Sequence, residues 1–165
     1  MESNSSSAVH SNAFNFGEFV SGGVDPRTGM YTCAFSLGKL RSADLNGPEL
    51  AFSVAFNPLN QTDVGFGIGW SLTLTSYDLH SKVMTLSNGE RYKAVETSTG
   101  LKFKEMKLQT AKVLVTGAGR YEVRYKDGRR ELLKVLAGSH FAVAEKIIAA
   151  NGVSVALKHE LFNGF

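Results

Sequence analysis

Few side chains in this sequence carry the chemistry of enzymes or metal sites, and those few lie far apart. The four histidines, His10, His80, His140 and His159, share no metal-ligand spacing, so a metal centre built from them requires long-range convergence. Cys33 is the one cysteine; it falls in an alternating run with Tyr31 and Phe35, where a buried thiol acts as a small hydrophobe and a poor nucleophile. A lone cysteine also excludes an internal disulfide framework and any multi-cysteine zinc site. No Gly-x-Ser-x-Gly elbow occurs. Asp25, Asp44, Asp63 and Asp78 raise the paired-carboxylate chemistry of glycoside cleavage. Each stands beside turn residues, where aspartate bonds to backbone, and nothing in the sequence brings two together. Gly65-Phe66-Gly67-Ile68-Gly69-Trp70 has the glycines of a phosphate loop. That chemistry needs a helix after the glycines, and here Ser71-Leu72-Thr73-Leu74 reads as strand. The glycines are expected to form a bend where backbones approach closely, with Phe66 and Trp70 anchoring it. Tyr77, Tyr92 and Phe103 are candidates for stacking on a sugar ring. The expectation is a chain with no catalytic residue, cofactor or metal.

The elements that must position these residues repeat with period two. Tyr31, Cys33, Phe35 and Leu37 alternate with small residues, as do Leu50, Phe52, Val54 and Phe56, then Trp70, Leu72 and Leu74. Tyr121, Val123 and Tyr125 share one face while Arg120, Glu122, Arg124 and Lys126 share the other, and Val153, Val155, Leu157 and Leu161 make a further apolar row in phase with His159. Asn88-Gly89, Asp127-Gly128 and Asn151-Gly152 separate strand-like runs with the chemistry of two-residue hairpin turns. Asp25-Pro26-Arg27-Thr28-Gly29 and Asn57-Pro58-Leu59-Asn60 read as further turns. Glu145 to Ala150 is the best helical segment, and fits a hairpin arm equally well. The pattern predicts an all-β fold: an antiparallel hairpin meander forming a curved sheet or a β-sandwich. Residues 1–13, rich in Ser and Asn, are expected to be a disordered tail, followed by one all-β domain over 14–165.

The chain has 165 residues, 43% hydrophobic and 20% charged, the balance of a globular protein. Its net charge of +3 is too small to imply nucleic acid. The distribution is uneven: residues 1–90 hold 4 Lys/Arg against 8 Asp/Glu, a net −4, and residues 91–165 hold 14 against 7, a net +7. Such a basic half reads first as a solvated face of alternating strands, since Lys and Arg are mostly exposed, and otherwise suits an acidic partner, a membrane surface or another part of a larger protein. No apolar run is long enough to span a bilayer, and the start lacks a secretory signal.

Val24-Asp25-Pro26-Arg27-Thr28-Gly29-Met30-Tyr31-Thr32, Gly47-Pro48-Glu49-Leu50, Phe56-Asn57-Pro58-Leu59-Asn60, Asp63 to Leu72 and Leu86-Ser87-Asn88-Gly89-Glu90-Arg91-Tyr92 together resemble the N-terminal region of Rhs/YD-repeat proteins and the related B and C components of insecticidal toxin complexes, most strongly at Asp63 to Leu72. The motifs cover roughly residues 14–93. The resemblance implies a non-catalytic wall or plug of a β-shell enclosing a C-terminal polymorphic toxin. It implies as partners the remainder of a larger Rhs/YD protein, toxin-complex or secretion components, and oligomers through strand edges. It implies a bacterial protein made in the cytoplasm and exported without an N-terminal signal peptide. Phe14, Phe16 and Phe19 are expected to dock the segment, with Asp25, Pro26, Arg27, Gly29, Gly65, Phe66, Gly67, Gly69 and Trp70 shaping its turns. The competing reading is a self-contained β-sandwich that binds carbohydrate or a partner protein through exposed aromatics.

Overall fold

The computed structural model describes residues 19–24, 26, 29–41, 46–61, 66–97, 100–104, 106 and 110–160. The expected tail over 1–13, together with Phe14, Phe16, Asp25, Arg27, Asp44, Asp63, Gly65, His10 and Leu161, lies outside them. Among the described residues every regular element is a strand. β1 (Val20–Val24), β2 (Tyr31–Leu40), β3 (Leu50–Phe56) and β4 (Trp70–Leu72) form one antiparallel sheet in sequence order. The remaining strands are β5 (Ser76–Asp78), β6 (Val83–Thr85), β7 (Arg91–Thr97), β8 (Gly100–Phe103), β9 (Ala111–Gly117), β10 (Arg120–Tyr125), β11 (Arg130–Val135), β12 (Phe141–Ile148) and β13 (Ser154–Ala156). The Glu145–Ala150 segment is thus largely strand, the last half of β12.

Strands β5 to β12 pair each with the next, and β12 returns to β5 through Phe141–Asp78, Ala142–Tyr77 and Val143–Ser76. The result is a closed eight-stranded barrel. β12 pairs with β11 along its length, while its other edge is divided: residues 141–143 hold β5 and residues 146–148 hold β13. The all-β expectation holds, but the second sheet is neither open nor half of a sandwich.

Closure also corrects the family resemblance. A ribbon that winds into a shell must leave its last strand free to continue, and here the eighth strand of the barrel turns back onto the first. The barrel is a discrete unit, not a wall or plug of an Rhs/YD β-shell. It carries no evidence of the remainder of such a protein, of toxin-complex or secretion components, or of oligomers built through open strand edges as partners. The motifs behind the resemblance encode local turns, and turns do not decide how a sheet ends.

An eight-stranded barrel leaves an interior just wide enough for side chains to fill. Each strand contributes at least one buried residue to a common cluster: Tyr77, Met84, Ala94, Leu101, Val113, Val123, Leu133 and Ala142. The ring mixes large side chains (Tyr77, Met84, Leu101, Leu133) with small ones (Ala94, Ala142), and together they fill the interior. Tyr77 is 1% exposed and meets Tyr121 edge to face at 5.1 Å between ring centres. Its hydroxyl is buried with no hydrogen-bond partner among the described residues. A buried donor without a partner costs free energy, so Tyr77→Phe is expected to raise the unfolding free energy by about 1 kcal/mol. A denaturant midpoint that falls would mean the hydroxyl has a partner.

The hairpin turns depart from the expected two-residue form. At Asn88-Gly89 only the glycine has positive φ, +85°. The amide of Gly89 donates to Leu86 O at 2.8 Å, the amide of Leu86 donates to Glu90 O at 2.9 Å, and the Glu90 amide donates to Asn88 Oδ1 at 3.0 Å. That side-chain bond holds Asn88 right-handed and leaves the left-handed step to glycine, which has no Cβ to clash. The same bond from residue i+2 to the Asx side chain recurs at Asp127 with Arg129 and at Asn151 with Val153.

Candidate binding surfaces

The four-stranded sheet is held in register so that its apolar residues share one face. Val20, Phe35, Val54 and Leu72 stand in one row across the strands, and Gly22, Cys33, Phe56 and Trp70 in the next. Trp70 packs at 5.6 Å from Phe35 and 5.3 Å from Phe56, ring centre to ring centre. Gly69, at φ +92°, brings the backbone against Phe56: a Cβ there would stand 2.5 Å from its ring. The segment at Gly67 and Gly69 therefore makes the close bend read from the sequence, and a strand follows it, not the helix a phosphate site needs. Trp70 itself is only half-buried.

Coverage of this face is uneven. Leu50 and Val54 are buried, whereas Val24 is 60% exposed, Tyr31 52% and Phe35 38%. Leu37, at the β-bulge between Ser36 and Gly38, is also exposed, as are Leu40, Phe66 and Ile68. Phe19 is half-exposed beside a shallow depression of about 250 Å³ that reaches Ser36 and Ser53. Pro26 and Gly29, both between β1 and β2, are exposed. The barrel exposes only Val95 and Val115 among its strand residues of this class. Cys33 is free and half-buried within the apolar face.

The proposed sugar-stacking rings lie elsewhere. Tyr77 is in the barrel interior, which corrects its reading as a ligand contact: a ring 1% exposed offers no face to a sugar. Tyr92 and Phe103 pack on each other at 5.3 Å and line the barrel core from its side.

Barrel closure also brings together residues that sequence spacing kept apart. His80 and His140 stack at 4.4 Å with rings 5° from parallel, and His140 Nε2 lies 3.9 Å from Asp78 Oδ1. Desolvation pushes the Asp78 carboxyl up, but the Ser81 hydroxyl at 2.6 Å, the amides of His80 and Ser81 and the nearby His140 more than offset it, holding the group below its ordinary value. No cluster of three His, Cys, Asp or Glu able to hold a metal occurs among the described residues. His159 bonds Ala144 O at 2.7 Å through Nε2.

A buried polar group missed by the sequence reading closes one end of the barrel. Glu131 is 0% exposed. It accepts from Tyr125 Oη at 3.0 Å and from Ser87 Oγ at 3.3 Å, and lies 3.5 Å from Arg129 Nη1. Arg129 sits over the Tyr125 ring at 4.2 Å, and Tyr125 Oη also meets Thr75 Oγ1. Burial, reinforced by the Glu131 charge, pushes the Tyr125 phenol up to about 12 against the opposing Thr75 and Arg129 contacts. The signal was present: Glu131 is in phase with Leu133 and Val135, on the side of the strand that faces the core. Fully enclosed, this carboxylate cannot meet a substrate, and its geometry is that of an interior plug.

No family model matches the chain, and no curated protein is significantly similar to it. Geometry alone therefore carries the functional argument.

Proposed function

We propose that this chain is a self-contained β-barrel module without a reaction of its own, and that it binds a partner protein through the β1–β2 end of its four-stranded sheet. The observation that carries this reading is the contrast between the packed barrel and the open apolar face at Val24, Tyr31 and Phe35. Contiguous apolar surface of this kind is rare on a protein that works alone. β1 is also the terminal strand of its sheet among the described strands. A terminal strand presents unpaired backbone donors and acceptors, so the partner that fits is an extended segment with alternating apolar residues. Its backbone would add beside β1 while its side chains cover Val24 and Tyr31.

Photo-crosslinking in the producing cells tests this. A benzoylphenylalanine placed at Val24 is expected to give a discrete adduct that Tyr31→Asp abolishes, with none from the same probe at Lys134 on the barrel wall. Adducts that are equally abundant from both positions, or absent from position 24, would overturn the reading.

A further inference from the structure

The barrel wall opposite in character to the apolar sheet is basic, and strand register concentrates the charge. Lys112 pairs with Arg124, and Arg124 with Arg130. Leu101 faces Val113, which sets Lys102 beside Lys112 and extends the row to β8. The Lys104 amide donates to Lys93 O, placing those two lysines next to each other on the same wall. All six cations are exposed. Among the described residues only Glu122 answers them; it engages Arg124 at 3.0 Å and Arg130 at 3.6 Å. Lys93, Lys102, Lys104 and Lys112 have no carboxylate partner among those residues.

Like charges directly across neighbouring strands destabilise a sheet. A wall that sets four cations in adjacent strands retains a positive potential that an anionic ligand would relieve. We infer that this wall, across β7 to β11, binds a sulfated or carboxylated polysaccharide. Strands repeat about every 4.8 Å across a sheet, so the row offers a charge at a spacing near one pyranose length. A shallow depression of about 440 Å³ at Val95, Thr97, Lys102, Phe103 and Lys104 adjoins the row and gives a sugar ring an apolar floor beside the charges. Single-stranded nucleic acid fits less well, because its affinity without sequence preference draws on aromatic stacking platforms. The row's outward neighbours Val95, Leu114 and Leu132 are aliphatic, and the ring at the depression, Phe103, is part-buried and packed on Tyr92, so it is no free stacking platform. An acidic peptide pays more ordering entropy than a stiff polysaccharide for the same charges. This site is separate from the apolar sheet and stands whether or not that sheet binds a protein.

The test is calorimetric titration of the full chain with a size-defined heparin octasaccharide, at low and at near-physiological salt. Binding is expected to weaken with salt, as charge screening requires. The pair Lys102→Gln and Lys112→Gln is expected to weaken it about tenfold or more, the loss of at least one charge-assisted contact. The pair Lys39→Gln and Lys158→Gln, which removes equal charge elsewhere, is expected to leave it unchanged, with circular dichroism confirming both folds. Three results overturn the inference: no binding at low salt, equal weakening by both pairs, or tighter binding of an oligonucleotide or polyglutamate through the same lysines.

Discussion

Replacing Glu131 with alanine is expected to lower the unfolding free energy by about 3 kcal/mol, the low end of the cost of breaking a buried ion pair. The low end applies because Arg129 keeps 34% of its side chain in water and so is not stranded in the core. The Tyr125 hydroxyl loses its acceptor and keeps only Thr75, and Ser87 loses its side-chain acceptor. A second readout separates this from simple loss of packing. With the negative charge gone, the Tyr125 phenol titrates below its value of about 12, but still above an ordinary tyrosine, because burial is the larger cause of its shift. Substituting both members, Arg129→Met with Glu131→Leu, is expected to recover most of the loss, as apolar replacement of a buried pair commonly does. Chemical denaturation of the two variants beside the unaltered chain, with ultraviolet titration of the phenol, decides the matter. A double variant no more stable than Glu131→Ala would show that the carboxylate contributes through its hydroxyl partners and not through the ion pair.

Gly100→Ala is expected to cost about 3 kcal/mol, from a backbone at φ +147° and a Cβ forced onto Val113 O and Leu114 Cα. Gly100 begins β8, and the β8–β9 pairing that it adjoins rests on Leu101 with Val113. The contact is with backbone, so relief requires moving β9 away from its neighbour. Gly138→Ala provides the control: its φ is +72°, but nothing lies within 4 Å of the added carbon. That change is expected to cost about 1 kcal/mol, the penalty of left-handed backbone alone. Equal losses at the two positions, measured by thermal unfolding, would mean that close approach of β9 contributes nothing.

What could be read from the residues was local. The alternation of Leu50, Phe52, Val54 and Phe56 specifies a strand with one apolar face, and β3 is that strand. Asp127-Gly128 specifies a tight reversal between β10 and β11. Closure depended on information that no window contains. β5 is three residues long, and its pairing with Phe141–Val143 joins segments distant in the chain. Lys146-Ile147-Ile148 read ambiguously because Ile147 and Ile148, although adjacent, are both buried, which breaks the simple alternation of a half-exposed strand. The turn motifs at Pro26–Gly29 and Phe66–Trp70 suggested a family because turn chemistry is similar wherever a sheet reverses; they carry no signal for how many strands follow. The cationic row was visible only as a surplus of lysine and arginine, since the register that aligns those side chains is fixed by pairing.

The divided edge of β12 has a further consequence for how the molecule opens and shuts. The barrel is sealed by three residue pairs between β5 and the first half of β12, whereas β12 holds β11 throughout. The seal is also the pairing within the barrel that spans the longest loop of chain, so it forms after the neighbouring hairpins have zipped. In native fluctuations the order is expected to reverse, so that hydrogen exchange of the backbone amides at this seam precedes that of β10 and β11. Each such opening uncovers the edges of β5 and of residues 141–143 together, while β13 keeps the other half of β12 guarded. The seam is thus where the protein is briefly sticky, and where crowding, warming or a weakened Tyr77 core would first turn folding into aggregation.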